Sequence, residues 1–135
     1  MFYETHPTIP ANTAQTAPLD TDVPIHPGIV KRVEIHFPPG CAALVHVQIY
    51  HWERQVWPSN PDSSFVGDTF PITWSEDYAI VDPPFVLTVK GWNDDELYPH
   101  APIIRFQIER VQVSVLDRLA TAIFGSQPLL PSARG

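Results

Sequence analysis

The sequence predicts an all-β protein, a single β-sandwich for which a jelly roll is one candidate topology. Three observations carry that expectation. Apolar and polar residues alternate with a period of two through several short runs, the mark of half-buried strands. Proline-rich connections separate those runs: the 135 residues hold 16 prolines against 6 glycines, where proline is usually about 5% of a chain. Apolar residues make up 44%, which is enough for one core and argues against a low-complexity tract. The expected organisation is an extended N-terminal arm or edge strand over 1–27, the sandwich over 28–115, and a short helix with a tail over 116–135.

Pro7, Pro10, Pro18, Pro24 and Pro27 punctuate the first segment. Proline has no amide donor and holds its predecessor extended, so this stretch predicts an arm or an edge strand, with 13–23 as one irregular edge strand. Ile29 to Phe37 is the first clear strand, with Val33, Ile35 and Phe37 on one face. Pro38-Pro39-Gly40 stops it. A second strand, Leu44 to Trp52, points Val45, Val47 and Ile49 inward. Paired as a hairpin, the two would set Phe37 beside Val45 and His36 beside His46; in a sandwich they can equally lie in opposite sheets.

Residues 58–69 read as a long loop. Phe70 to Trp74 reads as a short strand that Pro71 confines to an edge or a strand start, and Ser75 to Tyr78 as a turn or a single helical turn. Phe85, Leu87 and Val89 alternate inward before a turn at Trp92-Asn93-Asp94-Asp95. Ala101 to Val115 is the longest β run. Its inward set passes from Ile104, Phe106 and Ile108 to Val111, Val113 and Val115, which predicts a bulge near Glu109 or Arg110, or a change of sheet. Beyond it the period becomes helical: Leu116, Leu119, Ala120, Ile123 and Phe124 form a stripe, Ser114 and Asp117 have capping-box spacing, and Gly125 is a stop. A helix of about ten residues is not stable alone and must pack on something. No internal repeat is visible.

With 15 acidic and 8 basic residues the formal charge is −7, which excludes nonspecific nucleic-acid binding, a task that needs a basic surface. No run approaches the roughly 18 apolar residues of a membrane span, and no secretory leader pattern opens the chain. Cys41 is the only cysteine, so no internal disulfide forms.

Candidate chemistry is sparse. Six histidines raise the question of a metal, yet His36 and His46 supply half a zinc site at best, and His51 falls on the other face of its strand. Asn93-Asp94-Asp95-Glu96 lacks calcium-loop spacing and is explained by turn chemistry. Cys41 lies near His36 and His46 in sequence but has no third orienting group, so it reads as a small buried hydrophobe. The expectation is no catalytic residue, no metal and no cofactor. Aromatics on the polar phase or at strand ends, Tyr50, Trp52 and Trp57, are candidates for stacking on sugars. Packing over the open ends of the sandwich is the competing role for such rings.

The segments Val33-Glu34-Ile35-His36-Phe37-Pro38-Pro39-Gly40-Cys41, Gln55-Val56-Trp57-Pro58-Ser59-Asn60-Pro61 and Lys90-Gly91-Trp92-Asn93-Asp94-Asp95 give the chain its style. Over roughly residues 12–110 it resembles the small all-β accessory virion proteins of tailed phages. The resemblance implies a sandwich seated on a capsid shell with terminal arms, N- and C-terminal, that reach neighbouring subunits, a major capsid protein as partner and the virion as location. It carries no site residue onto this chain. The residues point the same way independently. Leu116, Leu119, Ile123, Phe124, Leu129 and Leu130 are apolar side chains on an extension, and they must be buried by the domain or by a neighbour. They are the expected partner-binding residues of a homo-oligomer.

Overall fold

In the computed structural model, which describes residues 1–111, the alternation becomes eight antiparallel strands in two four-stranded sheets. They are β1 (Phe2–Thr5), β2 (Leu19–Pro24), β3 (Gly28–His36), β4 (Val45–His51), β5 (Arg54–Trp57), β6 (Ile72–Ile80), β7 (Val86–Asn93) and β8 (Ile103–Arg110). One sheet has the order β1-β8-β3-β6 and the other β2-β7-β4-β5. The pairs β1·β8, β2·β7, β3·β6 and β4·β5 are the rungs of one long antiparallel hairpin. Rolling that hairpin up adds the β3·β8 and β4·β7 pairings. The sandwich is therefore a jelly roll.

The inward residues expected of the central strands form the core. Val33, Ile35 and Phe37 meet Val45, Val47 and Ile49 across it, with Leu87 and Val89 from β7 and Ile104, Phe106 and Ile108 from β8, all buried. Burying each such side chain is worth about 1.5–3 kcal/mol. β3 and β4 lie in opposite sheets, so their inner faces oppose one another and the hairpin register does not form. His36 and His46 accordingly stand on opposite outer faces.

Residues 1–27 enter the sandwich as edge strands of both sheets. β1 lies against β8, and Ile108 N–H donates to Met1 O. β2 lies against β7 over a shorter stretch than expected, Thr13 making only one bridge, to Asn93. Between them Ile9 is fully buried and pairs with His100 by two backbone hydrogen bonds, of 2.8 and 3.1 Å. Its Cδ1 fills the space that a Cβ at Gly91 would need.

Three further expectations change. Ser75 to Tyr78 is not a turn but the middle of β6, whose inward positions run Ile72, Trp74, Glu76, Tyr78 and Ile80. The inward carboxylate of Glu76 hid the alternation; indole N–H groups of Trp57 and Trp74, each at 2.9 Å, satisfy it. Trp92 and Asn93 belong to β7 and not to the turn after it. Register shifts lie in β3, between Val30 and Arg32, and in β4 against β5, between Ile49 and Tyr50, while Glu109 and Arg110 of β8 pair with β3 without one. β8 ends at Arg110, and Val113, Val115 and the helix and tail expected over 116–135 lie outside the described residues.

Candidate functional site

The strand directions gather four segments at one end of the sandwich: 6–13, 37–44, 65–71 and 94–102. Backbone hydrogen bonds join them. Asp94 N–H donates to Leu44 O at 2.9 Å, Asn12 N–H to Asp95 O at 2.8 Å, and Thr69 N–H to Phe37 O at 2.8 Å. Gly40 N–H donates to the Asp68 carboxylate at 2.9 Å. Asn93, buried, sends its side-chain amide to the carbonyls of Ile9 and Tyr98. Loops tied at so many points form a platform with a fixed shape.

Asp95 organises the part of that platform contributed by 94–102. One carboxylate oxygen accepts from the N–H groups of Leu97 and Tyr98, and the other meets His100 Nε2 at 2.9 Å. The contact with His100, then the amide of Leu97 and that of Tyr98, hold its pKa below the ordinary aspartate value. Next to it Asp94 accepts from or faces His46 Nε2 at 2.9 Å, while His46 stacks on Trp92 with ring centroids 4.9 Å apart. The acidic turn is thus local chemistry plus two histidine struts.

The platform exposes large apolar side chains. Phe70 is 79%, Leu97 76% and Tyr98 63% exposed, and Leu44 and Val66 are more modestly so. Its acids are Asp68, Asp94, Asp95 and Glu96, and its four segments contain no Lys or Arg. An exposed apolar group rimmed by one sign of charge is the composition of a contact surface.

The three aromatic candidates separate. Trp57 is only 4% exposed, packed edge-on against Trp74 and Tyr78 in the seam between β5 and β6, so it is a plug and not a stacking platform. Tyr50 is half-buried on the outer face of its sheet, with Lys90 Nζ 5.0 Å above its ring. Trp52 stands alone in the β4–β5 turn at the opposite end, 69% exposed, with φ of 61°. Leu116, Leu119, Ile123, Phe124, Leu129 and Leu130 lie outside the described residues.

Residues with chemistry to offer act as struts. His36 is bonded to Thr69 O, and His51 spans Tyr78 Oη and Pro84 O. Cys41 is fully buried, and its thiol is pushed above its usual pKa by burial and then by the charges of Asp68 and Asp95. A buried, raised thiol is a poor nucleophile. Among the described residues no group of three or more His, Cys, Asp or Glu is arranged to hold a metal ion, and no helix is long and apolar enough to cross a membrane.

The outer face of the β1-β8-β3-β6 sheet carries a shallow groove of 340 Å³ that includes Arg32, Glu34, His36 and Arg105. Its guanidinium groups are spent on neighbours. Arg105 bonds Glu4 and reaches Glu34, and Arg32 Nε bonds Glu34 at 2.9 Å. These are ion pairs within β3 and across to its neighbours on a solvated face, each worth little on its own. Neither this groove nor the loop end was singled out by the sequence patterning. Leu97-Tyr98 within an acidic turn was the one available signal, since apolar residues in a turn have no strand face to bury them.

No family model matches the chain, and no curated protein or solved structure matches it either.

Proposed function

We propose that the chain is a non-enzymatic structural protein of a viral particle, a capsid-decoration or other accessory virion protein, homo-oligomeric and assembled through its C-terminal segment. The observation that carries this reading is the loop-end platform: a rigid, hydrogen-bonded surface that leaves Phe70, Leu97 and Tyr98 in water unless a neighbour covers them. Two features support it. His36, His51 and the inward carboxylate of Glu76 are bonded within the sandwich, and the Cys41 thiol is buried in it. The jelly roll is also an architecture that viral capsid proteins use widely, although a fold alone does not assign a function. The N-terminal segment is given no role in reaching neighbours, because its strands are already paired within the chain. Immunolabelling of purified virus particles from the source tests the reading: label on the shell is the expected result, and particles free of the chain would contradict it.

A second reading, a carbohydrate-binding module, is favoured by the exposure of Trp52. Its ring is the stacking surface in that case, with Tyr50 two residues before it. A glycan array separates the readings, because only this one gives a signal that is lost in Trp52→Ala.

A further inference from the structure

We propose that the loop-end platform of one copy receives the C-terminal segment, residues 112–135, of the next copy, so that the protein assembles head to tail. The inference rests on the reading of the chain as a self-assembling structural protein and says which surfaces meet.

Position comes first. β8 delivers the chain to Arg110 at the end of the sandwich opposite the platform, where Val111 N–H is held by Pro27 O. The 24 residues that follow therefore start from the far end of the molecule. A segment leaving one end and a surface open at the other make a heterologous pair, which adds copies in one direction.

Composition comes second. The segment carries Leu116, Leu119, Ile123, Phe124, Leu129 and Leu130, enough apolar surface to cover an exposed group of five side chains. Its only charged side chains are Asp117, Arg118 and Arg134, a surplus of positive charge in a chain of net charge −7. The platform has the opposite balance, four acids with no Lys or Arg. Apolar contact supplies the affinity and charge sets the orientation. A platform-to-platform contact is disfavoured by the same charges, and so is a nucleic acid or an anionic lipid surface.

The test uses the full chain and two variants that remove one surface each. Leu97→Ser with Tyr98→Ser removes two of the platform's three most exposed apolar side chains, neither of them part of the core. Leu116→Ser with Leu119→Ser removes apolar residues of the segment. Native mass spectrometry is expected to give multiples of 15.2 kDa for the wild type and the monomer for each variant. Mixed in equal amounts, the variants retain one intact surface each and are expected to form a dimer that grows no further. An oligomeric platform variant beside a monomeric segment variant would overturn the head-to-tail contact and leave assembly through the C-terminal segment standing. A monomeric wild type would overturn both, including the case in which the segment folds back on its own platform. A cooperative melt of the platform variant, matching that of the segment variant, separates lost contact from lost folding.

Discussion

Asp95 and Trp52 show how single residues are spent at the two ends of the sandwich. The Asp95 carboxylate faces His100 and two amides, and its pKa is lowered for that reason. A carboxylate whose folded pKa lies below its unfolded value adds stability that is fully present above the ordinary value of about 3.9 and is lost as pH falls through the lowered one. Asp95→Asn keeps an oxygen for the Leu97 and Tyr98 amides but removes the charge. The melting-temperature gap between wild type and Asp95→Asn is therefore expected to be wide at neutral pH and to close in acid below that range; a gap independent of pH would refute the assignment. Trp52 is the converse, a large side chain in left-handed backbone with its ring in water. Asn tolerates that φ better, so Trp52→Asn is expected to raise stability by about 0.5–1 kcal/mol in urea denaturation.

Edge elements are where sequence and structure diverge, and the reasons are physical. The inward sets of β3, β4, β7 and β8 were legible because each is a run of Val, Ile, Leu or Phe at alternate positions. β6 was half legible: Glu76 occupies an inward position and looks like a turn residue until Trp57 and Trp74 are brought over from other strands. β1 was illegible, because four residues at an edge leave too little pattern to read. Non-local pairing also set the fate of the candidate rings, burying Trp57 and leaving Trp52 outside. Two substitutions test these elements. Glu76→Gln keeps the oxygen that both indoles use and is expected to be mild, while Glu76→Ala strands two donors and is expected to cost about 1–3 kcal/mol. Equal losses in the two variants, by denaturant unfolding, would show the carboxylate contact to be incidental. Ile9→Ala is expected to cost about 2–4 kcal/mol, as for a central-strand residue, because Ile9 is fully buried against Gly91. A loss near zero would mean that residues 1–13 are an ornament on a sandwich that stands without them.

At the scale of the whole molecule the prolines and the acids act together. The prolines of residues 7–27 hold chain extended along the sandwich edges, so the N-terminal segment completes the domain, and the loop end carries acids without Lys or Arg among exposed apolar side chains. That distribution makes the two ends of the sandwich different, which a head-to-tail assembly requires. Native mass spectrometry of the full chain tests the claim of assembly most directly. The account predicts a defined series of multiples of 15.2 kDa that collapses to the monomer in Leu116→Ser with Leu119→Ser; a wild type that stays at 15.2 kDa across the concentration range would contradict it.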